Sequence, residues 1–422
     1  MTSRSAVPCN SWLAVALMVA TLALSTTTSK ASEIKSPTAI ESWRTAFIAQ
    51  SASQGVSRRF LIGELKRFAP DPEIIALSTR QPELRQPIGD YIATRVSTRI
   101  TEGQARLAAN RQLLERITAT FGVPGEILIA IWGLETTYGT NLGRHDVIRS
   151  LATLASANGR RAAFWARQLL AACRIAEARP PRLPRLVGSW AGAIGHTQFI
   201  PTTFEAFAVD FDGDAIADLS DSHADALASA ANYLKLSGWP VAPDPQTPSV
   251  AIEVRAGPTF EWSNAGRKRF AEADVWRTRD VRRSDGTPLP QTGRFAFIAP
   301  QGAHGPQFLV TPAFNALLRY NNAVPYALAV TYLAEAIADR PDIAHPWRAE
   351  RPLTRNQRKM VQERLVARGY DTGGIDGILG DKSAAAIRNV QRRHGQTPDG
   401  HANAAVLKLL AHRGFPHLGE ET

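Results

Sequence analysis

The sequence predicts a mainly α-helical protein that carries a small strand-containing insert and ends in a separate unit of three helices. Helical periodicity runs from about residue 32 to residue 340. It is interrupted by a Pro-rich segment at residues 240–248 and by a less regular, strand-prone stretch to about residue 297. Residues 341–352 have the proline and charge content of a linker, and a compact unit follows at residues 353–412. The 422 residues therefore fit a catalytic or binding body with a C-terminal appendage.

Composition and charge restrict the function classes without choosing one. The chain is 44% hydrophobic and 21% charged, which is typical of a protein that builds packed cores. Lys and Arg outnumber Asp and Glu by 49 to 38, for a net charge of +11. This balance favours an anionic neighbour such as nucleic acid, an acidic membrane surface or an acidic wall polymer, although a solvated basic surface is the simpler interpretation. No long run of like charge is present, so no nucleic acid partner is expected.

The N-terminus is typical of a secretory signal peptide, which we place at residues 1–31. Arg4 precedes an apolar run at residues 12–24 that is too short to span a bilayer, and residues 29–31 offer a small-x-small cleavage site. No later apolar stretch approaches membrane-spanning length. We therefore expect an exported protein with no integral membrane segment after the signal is removed.

The two cysteines exclude a disulfide framework. Cys9 lies before the apolar run of the predicted signal, so it is not at a lipid-modified cleavage point. Cys173 follows Trp165 and Leu169 at intervals of four residues, which predicts one buried face of a helix. We therefore expect a structural thiol at Cys173 and not a nucleophile.

The first chemical signal is an acidic residue on an apolar helix. Pro124 suits the first turn of this helix and Gly139 suits a left-handed residue after its last turn. Glu135 lies four residues after Ile131 and eight after Ile127, on the stripe that should face the core. Burial would raise the pKa of this carboxyl, as a general acid near neutral pH requires. A Glu whose head reaches solvent, or one paired with an Arg, would produce the same pattern.

The second signal is the small-residue run at residues 188–201. Its glycines and alanines predict a tight turn or a close backbone approach, while Ser189, Trp190 and Gln198 supply hydrogen-bonding groups and a flat apolar face. These features suit a sugar site, but a Gly/Ala-rich packing turn would have the same composition. The chain contains no Walker loop, no GxGxxG and no HExxH zinc motif.

The third signal is an acidic loop at residues 210–221. Its side-chain oxygens fall at positions 1, 3, 5, 9 and 12, with the Ile216 carbonyl at position 7, which is the spacing of an EF-hand calcium loop. Ala215 replaces the usual glycine, and Asp221 replaces the longer bidentate Glu. A solvated acidic turn that caps the following helix is an equally good interpretation. The candidate ligands are Asp210, Asp212, Asp214, Ile216 and Asp221.

Together, these segments resemble the membrane-bound lytic murein transglycosylase B family. The resemblance rests on the end of the Glu135 helix, the run at residues 188–201, the acidic loop, and two further motifs, Ala231-Asn232-Tyr233 and Arg319-Tyr320-Asn321-Asn322 with Tyr326. It implies a lysozyme-like, or goose-lysozyme-like, α-helical catalytic domain at residues 32–340 and a periplasmic location. It also implies Glu135 as the catalytic acid/base, no cofactor for the chemistry and a possible structural calcium. The implied glycan-site residues are Ser189, Gln198, Tyr233, Tyr320, Asn321 and Tyr326.

The C-terminal unit resembles the peptidoglycan-binding-domain-1 family. The pattern includes Gln362, Leu365, Gly369-Tyr370, the glycine-dense loop at residues 374–380 and Ala386-Ile387. Its implied role is to hold the enzyme on an insoluble substrate.

The two resemblances imply an enzyme that acts on peptidoglycan glycan strands. It would cleave the β-1,4 bond between N-acetylmuramic acid and N-acetylglucosamine and form 1,6-anhydromuramoyl ends, with Glu135 as the single acid/base. Two alternatives remain at this point: a muramidase that hydrolyses the same bond with water, and a wall-binding protein without activity. The sequence does not indicate the oligomeric state.

Overall fold

The computed structural model describes residues 36–79, 86–157, 159, 161–181, 183–240, 250–340 and 346–411. The predicted signal peptide lies outside the described residues, as do residues 341–345 of the predicted linker. Within the described part of the chain, no single helix is long and apolar enough to cross a bilayer, and one pair of helices, Arg111–Phe121 and Gly125–Thr136, passes that test only together, with a bend of 108°.

Helices dominate the first part of the chain, as the periodicity predicts. Several begin at a polar N-cap: Ser57, Asp146 and Ser222 each accept a hydrogen bond from a backbone N–H of the first turn. The helices are α1 (Pro37–Ser51), α2 (Arg58–Leu65), α3 (Pro72–Thr79), α4 (Ile88–Val96), α5 (Ile100–Ala109), α6 (Arg111–Phe121), α7 (Gly125–Thr136), α8 (Val147–Ser156), α9 (Ala162–Ala178), α10 (Pro201–Phe207) and α11 (His223–Leu236). A two-residue antiparallel pair, β1 (His145–Asp146) with β2 (Val187–Gly188), joins distant loops.

The predicted insert is a five-stranded antiparallel sheet with the strand order β4-β6-β7-β3-β5. Its elements are β3 (Ala251–Ala256), β4 (Phe270–Glu272), α12 (Ala273–Thr278), β5 (Val281–Arg283), β6 (Arg294–Ile298) and β7 (Gln307–Val310). The sheet continues beyond the expected end near residue 297, because β7 pairs with both β3 and β6 after a short turn. Trp276, Phe295 and Phe297 are fully buried and give this part a core of its own.

Two helices return the chain from the sheet to the main helical core: α13 (Pro312–Tyr320) and α14 (Val324–Ile337). Both have a proline in the first turn, where the missing N–H has no cost. They pack with α7 and α11 around one large apolar cluster, while α1, α2, α8 and α9 enclose a second. Helix α14 thereby lies against α7, although the two helices are about 190 residues apart in the sequence.

The C-terminal unit contains the three predicted helices: α15 (Arg355–Val366), α16 (Asp381–Arg393) and α17 (Ala404–Leu409). Thr354 and Gln357 form a capping box at the start of α15. Val361, Ile387 and Val390 are fully buried in a small separate core.

The described part of the predicted linker, residues 346–352, is packed against the body. The indole of Trp347 donates to the hydroxyl of Tyr332 at 3.0 Å and stacks on Phe308, with ring centroids 6.1 Å apart. The boundaries at residues 32–340, 341–352 and 353–412 remain predictions.

Candidate active site

Helix α7 positions the carboxyl that the sequence singled out. Leu128 and Ile131 are fully buried, and Leu134 is 5% exposed, so the helix is enclosed by protein along most of its length. Glu135 lies in the last turn and is half-buried. The left-handed conformation begins at Thr137, with φ of 50°, and not only at Gly139. The tertiary structure holds this turn, because Tyr138 is buried and its hydroxyl donates to the carbonyl of Arg99 at 2.7 Å.

A tyrosine from α14 contacts the carboxyl directly. The hydroxyl of Tyr326 donates to Oε1 of Glu135 at 2.7 Å. Burial raises the pKa of Glu135 from 4.5 to about 7, while the Tyr326 hydrogen bond and the charge of Arg95 act in the opposite direction. The carboxyl is therefore neutral in a large fraction of molecules at neutral pH. Because this pKa lies close to neutral pH, the same side chain can donate a proton to an oxygen and later accept one.

The other aromatic residues form a layer behind this contact. The rings of Tyr320 and Tyr326 are parallel, with centroids 6.5 Å apart, and the Tyr320 hydroxyl donates to the carbonyl of Thr197 at 2.6 Å. Tyr233 lies edge-on against Tyr320 and donates to the carbonyl of Arg319 at 2.7 Å. Tyr233 is only 8% exposed, so it is placed to support Tyr320. The half-buried Asn321 follows α13, and its side-chain amide has no hydrogen-bond partner among the described residues.

Two residues near the carboxyl were not anticipated from the sequence. Tyr91 and Arg95 lie one turn apart on α4, and the guanidinium carbon of Arg95 is 5.4 Å from the centroid of the Tyr91 ring. Burial raises the pKa of Tyr91, and the charge of Glu135 adds to this effect. Spacing by four residues on an amphipathic helix is common on any protein surface. Only the three-dimensional packing against α14 brings α4 to the site.

The run at residues 188–201 folds as a tight loop beside the end of α7. The β1–β2 pair holds its start, and the Thr136 hydroxyl donates to the carbonyl of His196 at 2.8 Å. Ser189 accepts a hydrogen bond from the backbone of Ala193 at 3.0 Å, within the loop itself. Gln198 has φ of 51°, and its side-chain nitrogen lies 3.3 Å from the carbonyl of Leu142. The loop therefore lies beside α7, while the glycan contacts of Ser189 and Gln198 remain predictions.

The acidic loop gathers part of its predicted ligand set. Carboxylate oxygens of Asp210, Asp212 and Asp214 all lie within 4.8 Å of one another. Ala215 adopts φ of 70°, so alanine takes the left-handed conformation that glycine usually supplies at this position. Asp221 is not in the converging group, and the Ile216 N–H donates to Asp214 at 2.9 Å.

The carboxylate at loop position 9 has a different partner. Asp218 pairs with Arg179 at 3.1 Å, and both side chains are less than 10% exposed. A buried guanidinium requires an opposite charge, so it holds Asp218 away from the loop cluster. The three converging aspartates still form an oxygen donor set of the kind that suits a hard divalent cation.

Cys173 is structural, as its periodicity predicts. It is fully buried in α9, and burial raises the pKa of its thiol to about 12. The thiol is therefore protonated at neutral pH and is a poor nucleophile.

The raised pKa of Glu135 predicts a pH-dependent stability change. Below pH 4.5, the pKa of the carboxyl in the unfolded chain, Glu135 does not lower the free energy of unfolding. As the pH rises from 4.5 to about 7, the carboxyl ionises more readily in the unfolded chain than in the folded protein, so the free energy of unfolding falls. We expect Glu135→Gln to raise the free energy of unfolding by about 2–3 kcal/mol at pH 8 and to leave it nearly unchanged at pH 4. Urea unfolding followed by circular dichroism measures both values.

The matched control is Glu102→Gln on α5. Glu102 is half exposed and pairs with Arg106, so its replacement should change stability by less than about 1 kcal/mol at either pH. An equal effect of Glu135→Gln at pH 4 and pH 8 would contradict the raised pKa.

Comparison with known proteins gives two family matches. Residues 39–335 match the family described as "Transglycosylase SLT domain", and residues 354–410 match the family described as "Putative peptidoglycan binding domain". The membrane-bound lytic murein transglycosylase B of Escherichia coli (strain K12) is 31% identical over 226 residues, which are 53% of this chain and 60% of that protein. The match thus spans less than two thirds of that relative.

Solved structures give longer matches. SltB3 from Pseudomonas aeruginosa, crystallised in complex with NAG-anhNAM-pentapeptide, is 40% identical with a TM-score of 0.81, and the match covers 88% of this chain and 99% of that one. The Escherichia coli lytic transglycosylase Slt35 in complex with calcium is 27% identical with a TM-score of 0.58, covering 70% of this chain and 92% of that one. The helical, lysozyme-like architecture with its strand insert agrees with these neighbours. On the family match over most of its length, the chain belongs to the transglycosylase SLT domain family.

Proposed function

We propose that the protein is a lytic transglycosylase of peptidoglycan. It cleaves the β-1,4 bond between N-acetylmuramic acid and N-acetylglucosamine and leaves a 1,6-anhydromuramoyl end. The observation that carries this proposal is the half-buried Glu135, whose pKa is about 7 and whose carboxyl accepts a hydrogen bond from the Tyr326 hydroxyl. The charged side chain that shifts the pKa of Glu135 is Arg95, a cation. Hydrolytic glycosidases commonly use two carboxylates, so one acid/base supports the transglycosylase reaction.

The reaction needs Glu135 to act twice. The protonated carboxyl first gives its proton to the glycosidic oxygen, and the bond from that oxygen to C1 of the muramoyl sugar breaks. The substrate's own acetamido oxygen then stabilises the positive charge at C1. The carboxylate removes the proton of the 6-hydroxyl, and O6 attacks C1 to close the anhydro ring. Glu135 ends protonated as it began, and no water is consumed.

The neighbouring residues suit this sequence of proton transfers. The Tyr326 hydroxyl donates to the carboxylate in its charged stage, while burial favours the neutral stage. A pKa near the working pH lets one group serve as both acid and base. O6 and C1 belong to the same sugar, so attack by O6 is intramolecular and is favoured over attack by a water molecule. Tyr320, Asn321 and Tyr326 would hold the sugar together with Ser189 and Gln198 of the loop at residues 188–201, and Tyr233 would support Tyr320.

We also propose the remaining features of the chain in this context. The C-terminal unit would hold the enzyme on glycan strands and raise its local concentration there, and the match over residues 354–410 supports this role. The apolar run at residues 12–24 supports an N-terminal signal at residues 1–31, and peptidoglycan as the substrate supports a periplasmic location. The three aspartates of the acidic loop would hold a structural calcium ion, since the calcium complex of Slt35 offers a precedent.

Mass spectrometry of muropeptides released from purified peptidoglycan tests the reaction. The full-length protein should release products with 1,6-anhydromuramoyl ends, which are 18 Da, about one water, lighter than hydrolysis products. Glu135→Gln should lower the rate by at least about a thousandfold, because the proton donor is lost, while binding to the polymer persists. Glu102→Gln is the control and should cleave normally. Reducing ends would support a hydrolytic muramidase, and no release by the parent protein would support a wall-binding protein.

Thermal unfolding with and without calcium tests the acidic loop. Calcium at about 100 times its Kd should stabilise the fold by about 2.7 kcal/mol, because it binds only the folded loop. The double variant Asp210→Asn, Asp214→Asn should lose this shift, whereas Asp274→Asn, which removes an exposed carboxylate elsewhere, should keep it. A parent protein that shows no shift at about 10 mM calcium, roughly ten times the weakest Kd of about 1 mM for extracellular calcium modules, would contradict the site.

A further inference from the structure

A cleft between the strand insert and the C-terminal unit lies apart from the Glu135 site and shares no residue with it. It has a volume of about 360 Å³. One wall is the segment that includes Phe260, Glu261 and Trp262, and the other is the face of α16 that carries Arg388 and Arg392. The two walls come from different parts of the chain, so the cleft exists only because these parts are docked.

Specific contacts hold the two walls together beside the cleft. The Asp399 carboxylate accepts the backbone N–H of Ala303 at 2.8 Å, across from the C-terminal unit to the insert. Gly302 has φ of 66°, and a Cβ there would collide with the Asp399 carboxylate. Glu350 pairs with His401 and ties the linker to the same turn. The cleft is therefore preformed in the folded chain.

The lining of the cleft carries more positive than negative charge, because Arg388 and Arg392 lie on one wall and Glu261 on the other. Burial and the charge of Arg269, which belongs to the insert, lower the pKa of Arg388 on α16; the charge of Arg392 acts in the same direction, and those of Asp381 and Asp399 act in the opposite direction. The guanidinium groups of Arg269 and Arg388 donate no hydrogen bond to any residue that the structure describes. Asp381 and Asp399 lie on the same unit, but Asp399 already accepts from Ala303, Gln391 and His401. Like charges held together in this way favour an anionic ligand.

We propose that this cleft binds the carboxylates of the stem peptides that peptidoglycan carries, as a second contact with the same polymer. The choice of polymer rests on the proposed function. Arg388 and Arg392 would bind carboxylate groups, and Glu261 on the opposite wall would accept a hydrogen bond from a protonated amine of the peptide. A nucleic acid backbone fits less well, because Glu261 would repel its phosphates. The enzyme would then bind the stem peptide in this cleft and cleave the glycan strand at the Glu135 site.

Co-sedimentation with insoluble peptidoglycan tests this site. All proteins are full-length and carry Glu135→Gln, so that no cleavage occurs. The cleft variant is Arg388→Gln with Arg392→Gln, and the control is Lys382→Gln with Arg393→Gln, which removes two charges from the same helix outside the cleft. We expect the cleft variant to bind intact peptidoglycan at least about tenfold more weakly than the parent, because charge-assisted hydrogen bonds are lost. The control should bind like the parent.

A second polymer identifies the group that is recognised. On glycan strands stripped of peptide by an amidase, the cleft variant and its parent should bind equally. Equal binding of cleft and control variants to intact peptidoglycan would overturn the proposal, and so would an equal loss on stripped strands or an arginine-dependent affinity for duplex DNA alone. Arg392→Gln alone should weaken binding about threefold. Because Arg392 is exposed, this single variant should fold normally, so it keeps the test valid if the double variant misfolds. Because the readout is binding, it stands even if the parent enzyme releases no anhydro product.

Discussion

The hydrogen bond between Tyr326 and Glu135 is the contact on which the proposed chemistry depends. It joins the last turn of α7 to the first turn of α14, and it exists because both helices belong to one apolar core. The packing that encloses α7 also removes water from the carboxyl and raises its pKa to about 7. The core thus supplies both the position and the acidity of the group. The physical consequence is a net cost to stability at neutral pH, because the Tyr326 hydrogen bond and the Arg95 charge offset only part of the effect of burial.

The sequence was informative where a local pattern had one dominant cause. Glu135 stood out because a carboxylate on an apolar stripe conflicts with burial, and the helix that carries it is present. Cys173 is buried for the reason its spacing predicted, and the C-terminal helices follow their apolar periodicity. The helical class and the strand insert were also predictable. The insert ended later than expected, because the short turn before β7 has no strand pattern of its own.

The rest depended on tertiary structure. Tyr91 and Arg95 carry no local signal, since their approach to Glu135 follows from how α4 packs on α14. Asp218 fits the spacing of a calcium ligand, yet the buried charge of Arg179 determines its partner. The helix end at Thr136 is set by the contacts of Tyr138 more than by the glycine that follows. In the last two cases a local preference competes with a buried contact, and the buried contact determines the structure.

The proposed chemistry requires that a large fraction of the Glu135 carboxyl is still protonated at neutral pH in the folded protein. Selective 13C labelling of glutamate carboxyl groups, with Glu135→Gln to assign the signal, follows its ionisation directly by NMR. We expect this carboxyl to titrate near pH 7. Titration near the ordinary value of 4.5 would contradict it, because the group would then be a carboxylate before any sugar reached it.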